Sequence, residues 1–183
     1  MTILFYGDSL TAGYGLSDPS TQGYPALIGD KIKSAGLKYE IINAGLSGDT
    51  SQGGVSRLDY WLGRKIDVFV LELGINDIMR GVSPVRTYNN LSAIIEKVKS
   101  KYPQTRIVLM GMELPPFISA GPVEEFRTIY QKLSTHHKIA LVPFFLKGVL
   151  GVRSLNLPDG LHPSREGYKV IAETVWPIIR PLL

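Results

Sequence analysis

Three residue types that together carry out nucleophilic catalysis stand at opposite ends of this chain. Ser9 follows a short apolar run and the dipeptide Gly7-Asp8, whereas Asp159 and His162 lie three positions apart in the segment DGLHP. A carboxylate that accepts a hydrogen bond from one imidazole nitrogen fixes the histidine tautomer, so that the other nitrogen can take a proton from a serine. A neutral His162 held in this way could therefore make Ser9 a nucleophile.

Each of these residues also has an ordinary structural interpretation. Asp-Gly dipeptides such as Asp159-Gly160 commonly form turns, and a histidine beside such a turn is often only a surface residue. A serine that directly follows a strand, as Ser9 does, is often a turn residue or a helix N-cap. Taken alone, neither segment decides between structure and catalysis.

Two further segments contain donors that could stabilise a developing negative charge. Gly48 lies within NAGLSGDTSQGG, and Asn76 lies within GIND. A backbone N–H group at Gly48 and the side-chain amide of Asn76 could bind an oxyanion, and a glycine lets the backbone approach a ligand closely. The alternatives are a tight turn at Gly48 and a helix cap at Asn76.

The elements that must position these residues alternate between strands and helices. Apolar, β-rich runs predict strands at 2–6, 38–43, 67–73, 106–112 and 139–142. Apolar residues at i, i+3 and i+4 predict helices at 24–32, 88–98, 123–133 and 165–179. Such alternation requires crossover connections and a parallel sheet. We therefore expect an α/β fold, a three-layer α/β/α sandwich formed by one domain over residues 1–183.

The carboxyl ends of parallel strands share one edge of the sheet, where α/β proteins bind their ligands. Ser9 follows the first predicted strand, Gly48 the second and Asn76 the third, and the Asp159/His162 pair follows the fifth. A serine, two donors and an Asp/His pair at one edge favour acyl transfer over four unrelated turns and caps.

The composition argues against several other classes of protein. The formal net charge is +4 with scattered Lys and Arg, so we expect no nucleic-acid partner. No apolar run reaches about 18 residues, so we expect no stable insertion in a membrane. The absence of cysteine excludes disulfides and thiolate chemistry. His136 and His137 are adjacent and should point in different directions on a helix, so we expect neither a metal site nor a cofactor.

The same segments resemble the four blocks of the SGNH (GDSL) hydrolases, in order and at fitting separations. These blocks are Gly7-Asp8-Ser9-Leu10, Gly48, Gly74-Ile75-Asn76-Asp77 and Asp159-Gly160-Leu161-His162-Pro163. The flanking sequence is similar to the bacterial arylesterase/acyl-CoA thioesterase I/lysophospholipase subfamily over nearly the whole chain. The lipase-type G-x-S-x-G motif is absent, which argues against an α/β-hydrolase.

The resemblance implies a flavodoxin-like sheet of five parallel strands and a serine esterase acting on carboxylic esters, acyl thioesters or lysophospholipids. It implies that Ser9 is the nucleophile, His162 the general base and Asp159 the residue that orients His162. It also implies an oxyanion hole formed by the N–H groups of Ser9 and Gly48 and the amide of Asn76.

Apolar residues on three segments near the same edge predict a pocket for an acyl chain. They are Ile78 and Met79, then Leu114, Pro115 and Phe117, and in the last long loop Phe144, Phe145 and Leu146. The alternative is that some of these side chains are tucked onto the core. The resemblance implies that the loops 74–81 and 111–120 close over the acyl group.

Two rival functions remain open at this point. One is a nucleotide- or flavin-binding module that cradles phosphate on the glycine-rich loops, although it leaves the Asp159/His162 pair unexplained. The other is a carbohydrate O-deacetylase that uses the same four blocks. We expect a small-molecule acyl ester or thioester as partner and a monomer or weak homodimer. The chain should be cytoplasmic if it is complete, and periplasmic or secreted if a leader has been removed.

Overall fold

The computed structural model describes residues 1–113 and 123–183, in which five parallel strands form one sheet in the order β2-β1-β3-β4-β5. The strands are β1 (Thr2–Gly7), β2 (Glu40–Gly45), β3 (Val68–Glu72), β4 (Arg106–Met110) and β5 (Ala140–Val142). All five predicted strands are therefore confirmed, with ends within two residues of the predicted ones. The central strands β1 and β3 are buried almost throughout, as expected for a parallel sheet covered on both faces.

Helices cover both faces of this sheet. Helices α4, α6 and α7 pack side by side, and α3 packs against α8. The helices are α1 (Ser9–Ala12), α2 (Pro19–Gln22), α3 (Tyr24–Ser34), α4 (Ser51–Trp61), α5 (Ile75–Met79), α6 (Pro84–Lys101), α7 (Val123–His137) and α8 (Arg165–Ile179), and the 3-10 turns are Arg153–Leu155 and Arg180–Leu182. The four predicted helices correspond to α3, α6, α7 and α8.

Helix α4 was not predicted, because its first turn lies in a segment rich in Gly, Ser and Thr. Thr50 caps this helix, and its Oγ1 accepts a hydrogen bond from the N–H of Gly53 at 3.2 Å. A Cβ atom at Gly54 would lie only 2.5 Å from Leu73 Cδ1, so the glycine lets α4 pack closely against the sheet. The Tyr6 hydroxyl donates to the Gly54 carbonyl at 2.6 Å. These tertiary contacts outweigh the low helix propensity of glycine.

The start of α8 sets the position of the segment that contains His162. Ser164 caps α8, and its Oγ accepts a hydrogen bond from the N–H of Gly167 at 3.3 Å. A Cβ atom at Gly167 would lie 2.1 Å from the Leu155 carbonyl oxygen, so this turn of helix sits directly on the preceding loop. His162 lies two residues before the cap, and both flanks of the DGLHP segment are therefore anchored.

Candidate active site

The predicted edge of the sheet brings together residues that are far apart in the chain. Ser9 is the first residue of α1, separated from the end of β1 only by the N-cap Asp8, and its side chain is buried. Its Oγ lies 2.8 Å from His162 Nε2, across 153 positions of sequence. His162 Nδ1 lies 2.6 Å from Asp159 Oδ2. Serine, histidine and aspartate therefore form one continuous series of hydrogen bonds, in the order expected from the sequence.

A local turn holds the Asp159/His162 pair. Gly160 has a φ of +71°, a left-handed conformation that favours glycine. Asp159 Oδ1 accepts hydrogen bonds from the backbone N–H groups of Leu161 at 2.9 Å and His162 at 3.0 Å. The His162 carbonyl in turn accepts a hydrogen bond from the N–H of Leu157 at 2.7 Å. The turn interpretation and the catalytic interpretation of this segment are thus both compatible with one geometry.

The electrostatics of the turn keep Asp159 ionised. Partial burial alone would raise the pKa of its carboxyl group. Hydrogen bonds from the N–H groups of His162 and Leu161 and from the His162 side chain outweigh this effect and lower the pKa below its usual value. A carboxylate at this position favours an N–H on the facing imidazole nitrogen, which leaves Nε2 as an acceptor toward Ser9.

Tyr14 also contacts the histidine, a contact that the sequence reasoning missed. The ring centroids of Tyr14 and His162 lie 4.6 Å apart, with the planes inclined by 46°. Tyr14 is half-exposed and covers one face of the imidazole. The signal in the sequence was an aromatic residue in GDSLTAGYG, the segment that contains Ser9. Aromatic side chains commonly pack against one another, so Tyr14 could have been expected beside the imidazole.

Two of the predicted oxyanion donors lie on segments that are linked to each other, Gly48 in the turn after β2 and Asn76 in α5. Gly48 has a φ of +79°, and its carbonyl accepts a hydrogen bond from Arg80 Nη2 at 2.8 Å. Asn76 Nδ2 donates to Asp8 Oδ2 at 3.0 Å and to the carbonyl of Asp49 at 2.9 Å. Both amide hydrogens of Asn76 are therefore bonded within the protein, and an oxyanion bound there would have to share one of them.

Arg57 connects several segments at this edge of the sheet, a role that the sequence reasoning missed. Its Nε lies 2.6 Å from Asp49 Oδ2, and its Nη1 and Nη2 donate to the carbonyls of Ala44 at 2.8 Å and Gly7 at 2.9 Å. The guanidinium also lies 3.9 Å from the centroid of the Tyr6 ring. One side chain thus ties the ends of β1 and β2 to the loop that positions Asn76.

A second missed feature lies beneath the nucleophile, where Glu72 ends β3. Its carboxyl group is fully buried and fills the space beside Gly7. A Cβ atom at Gly7 would lie 2.1 Å from Thr11 Oγ1 and 2.6 Å from Glu72 Oε2, which explains the glycine before Asp8. The signal was an acidic residue in the apolar run VFVLEL, since a buried carboxyl group is rare without a specific partner.

The aspartate of the GIND segment holds α5 in place. Asp77 is buried, and its carboxylate accepts hydrogen bonds from the N–H of Ser51 at 2.8 Å, from the Ser51 hydroxyl and from Thr87 Oγ1 at 3.3 Å. Ser51 begins α4 and Thr87 lies in α6, so Asp77 connects three helices. Its position next to Asn76 makes this anchor part of the framework that orients the amide.

The predicted acyl-pocket residues are found in different settings. Ile78 is partly buried against the core and Met79 is exposed, both on α5. Phe145 and Leu146 are in the hydrophobic core, which is the alternative interpretation given for part of this set, and Phe144 packs partly against that core. Leu114, Pro115 and Phe117 lie outside the described residues. A cavity of ≈ 840 Å³ lies elsewhere, along α3 and β2, and none of its lining residues belongs to the Ser9/His162/Asp159 series.

The adjacent histidines approach each other more closely than expected. Potential ligand atoms of Glu96, His136 and His137 all lie within 4.8 Å of one another. However, His137 Nε2 is already 2.7 Å from Ser92 Oγ, and the ammonium group of Lys99 donates to the His137 carbonyl. A fixed positive charge beside the cluster opposes binding of a cation, so we assign no metal to it.

The family and the relatives of this chain identify it as an ester hydrolase. Residues 5–170 match the GDSL-like lipase/acylhydrolase family, and the chain belongs to that family. This membership, together with the Ser9/His162 contact, argues against the nucleotide-binding alternative. Among the helices of residues 1–113 and 123–183, none has both the length and the apolar character needed to cross a membrane.

Individual relatives are similar over the whole chain. Esterase TesA of Pseudomonas aeruginosa is 38% identical over 183 residues, which are 100% of this chain and 89% of that protein. Thioesterase 1/protease 1/lysophospholipase L1 of Escherichia coli strain K12 is 37% identical over 183 residues, which are 100% of this chain and 85% of that protein. A crystal structure of TesA superposes with a TM-score of 0.94 at 38% identity and covers 100% of both chains.

Proposed function

We propose that this ester hydrolase works through an acyl-enzyme on Ser9, with His162 as general base and Asp159 as the residue that orients His162. The observation that supports this most strongly is the unbroken series from Ser9 Oγ through His162 to Asp159, with distances of 2.8 and 2.6 Å. Both distances lie within the reach required for proton transfer between a nucleophile and its base.

The reaction has two halves. His162 Nε2 takes the hydroxyl proton while Ser9 Oγ attacks the carbonyl carbon of the substrate, and the protonated His162 then gives that proton to the leaving alcohol or thiol. A water molecule next loses a proton to His162 and attacks the acyl-enzyme. Its oxygen becomes part of the released carboxylic acid, and the proton returns to Ser9 Oγ.

The negative charge on the substrate oxygen needs donors that are already in place. We assign this role to the backbone N–H groups of Ser9 and Gly48 and to the amide of Asn76. Within the described part of the chain, neither of the two backbone groups donates a hydrogen bond to another residue. The Asn76 amide would share one of its hydrogens between the oxyanion and Asp8 or Asp49.

For the substrate we propose aryl esters and short-to-medium acyl esters, together with acyl thioesters or lysophospholipids. The names of the relatives support this range, since they include an esterase and a thioesterase/lysophospholipase. We also propose that Ile78 and Met79 contact the acyl chain, because α5 that carries them begins beside Asn76. All three residues of the series come from one chain, so the site needs no second copy. We expect each chain to form a single domain, and the protein to be a monomer or a weak homodimer.

The test is hydrolysis of p-nitrophenyl esters from acetate to palmitate by wild type, Ser9→Ala and Ser56→Ala. Ser56 is exposed on α4 and serves as the matched control. We expect turnover by wild type and the control and none by Ser9→Ala. Full activity of Ser9→Ala would reject the proposed nucleophile. Activity confined to acetyl esters of sugars would instead identify an O-deacetylase, and acyl-CoA substrates of the same chain lengths would compare thioesters with esters.

A further inference from the structure

Two carboxyl groups lie against each other directly beneath the nucleophile. Asp8 follows β1 and Glu72 ends β3, and both side chains are fully buried. Glu72 Oε2 accepts hydrogen bonds from Thr11 Oγ1 at 2.8 Å and from the N–H of Asp8 at 3.2 Å. Asp8 accepts hydrogen bonds from the N–H of Leu10 at 2.9 Å and from the Asn76 amide at 3.0 Å.

Neither carboxyl group has a cation beside it among the described residues. The nearby guanidinium of Arg57 is bound to Asp49 and to two backbone carbonyls. Glu72 Oε1 is buried and has no hydrogen-bond partner within the described part of the protein. Two ionised carboxylates in this setting would repel each other and would both lose their hydration, which is a large penalty for buried charges.

The other titratable side chains around the pair do not neutralise it. The groups that face it are the hydroxyls of Tyr24, Tyr130 and Tyr168 and the carboxyl of Asp49. Burial raises the pKa of each of these three tyrosines. The tyrosines therefore stay neutral, and the remaining neighbours add only negative charge or are paired elsewhere.

We propose that Glu72 and Asp8 share a single proton, carried by Glu72, and that neutral Glu72 is a positioning residue that holds the Asp8 carboxylate toward the Asn76 amide. Asp8 is the charged member because an N–H group donates to each of its two oxygens, whereas both donors to Glu72 bond Oε2 and leave Oε1 without a partner among the described residues. Hydrogen bonds to a carboxylate favour its ionised form. A proton on Glu72 also supplies the donor that a hydrogen bond between two carboxyl groups requires. Only the positioning of Asn76 rests on the proposed function.

The directions in which burial and charge shift the two pKa values agree with this assignment. Burial raises the pKa of Glu72 well above its usual value, and the neighbouring Asp8 charge raises it further. Burial also raises the pKa of Asp8, to about 7, although the hydrogen bonds from Leu10, Glu72 and Asn76 oppose that rise. Both shifts favour a proton within the pair, and the hydrogen bonds to the two oxygens of Asp8 favour Glu72 as its carrier.

The proton can be counted by comparing unfolding of wild type and Glu72→Gln in urea between about pH 6 and 8. The unfolded chain has lost the Glu72 proton in this range, whereas the folded wild type holds it, so rising pH destabilises the folded wild type. Its folded-to-unfolded ratio should fall by about tenfold more per pH unit than that of Glu72→Gln, or about 1.36 kcal/mol per unit. Asp8 faces a neutral side chain at position 72 in both proteins. Its own contribution to the pH dependence therefore largely cancels in the difference between wild type and Glu72→Gln.

Two controls make this measurement decisive. Glu40→Gln makes the same chemical change at an exposed residue of β2 and should follow the wild-type pH dependence. An infrared difference spectrum of wild type minus Glu72→Gln should contain the carbonyl stretch of a protonated carboxylic acid. Equal pH slopes for wild type and Glu72→Gln, or the absence of that band, would overturn the shared proton.

The positioning role has its own readout. A glutamine amide in place of the Glu72 carboxyl group can still donate to Asp8, whereas a leucine side chain cannot. Glu72→Gln should therefore keep most of the kcat that Glu72→Leu loses, a loss of up to about 10²-fold. Equal losses in both variants would overturn the positioning role while leaving the proton count intact. If wild type hydrolyses no ester at all, the proposed function fails, and the unfolding experiment still decides whether Glu72 carries the proton.

Discussion

Replacement of Arg57 by alanine should damage both the stability and the activity of this protein, although Arg57 does not contact the Ser9/His162/Asp159 series. Its guanidinium binds the Asp49 carboxylate and the carbonyls of Ala44 and Gly7. Alanine would leave the Asp49 charge unpaired in a buried position. It would also release the loop whose Asp49 carbonyl accepts a hydrogen bond from Asn76.

The size of the effect follows from the burial of the pair. The Asp49 side chain is 5% exposed and the Arg57 side chain 19% exposed, with 2.6 Å between Nε and Oδ2. Removing one partner of a buried ion pair costs ~3–5 kcal/mol, and the partial exposure of Arg57 favours the lower end, about 3 kcal/mol. For a chain of this length that corresponds to a fall in Tm of about 6–12 °C. Misplacement of Asn76 should lower kcat by up to about 10²-fold.

Thermal unfolding and ester hydrolysis should be measured for Arg57→Ala, Arg57→Lys and Arg86→Ala, an exposed control on α6. Arg57→Lys should rescue little, because one ammonium group cannot reproduce the planar guanidinium that binds three acceptors. Adding Asp49→Asn to Arg57→Ala should restore part of the Tm, since no unpaired charge then remains. A Tm loss below about 2 °C for Arg57→Ala, or no recovery in the double variant, would refute this reasoning.

Three other substitutions test the edge of the sheet directly. Asn76→Ala should lower kcat by ~10²–10³ through loss of an oxyanion donor, and a folded variant with wild-type kcat would remove Asn76 from that role. Asp159→Asn should lower kcat by about 10³-fold or more by favouring the wrong tautomer of the facing histidine. Its Tm should change little because the Asp159 side chain is 42% exposed. Gly7→Ala should destabilise the fold by at least ~1–3 kcal/mol in urea unfolding, because the new Cβ would lie 2.1 Å from Thr11 Oγ1. Wild-type stability of Gly7→Ala would show that this space can open.

The sequence allowed the strands and the polar residues at their ends to be predicted, because both are local properties. Apolar runs of the length of a strand separated by amphipathic helices define a parallel sheet whatever the order of its strands. The edge at which Ser9, Gly48 and Asn76 meet follows from that alone. The Asp159/His162 turn is also local, since its hydrogen bonds span only three residues.

Helix α4 shows where local reasoning was insufficient. Its first turn contains Gly53 and Gly54, which lower the intrinsic propensity for helix. The helix forms because Gly54 fits against Leu73 and Tyr6, residues of other elements. A sequence pattern carries no information about those distant surfaces, so the segment was interpreted only as a loop.

The buried charges depend entirely on tertiary structure. Asp8 and Glu72 meet because β1 and β3 are neighbours in the order β2-β1-β3-β4-β5, although they are not consecutive in the chain. Arg57 reaches the ends of β1 and β2 only after α4 has packed across them. The sequence by itself determined which residues could do the chemistry and at which edge they would stand. Only the tertiary structure decided which charged groups lose their water and which partner each one finds, because desolvation and pairing depend on distances between elements that are remote in sequence.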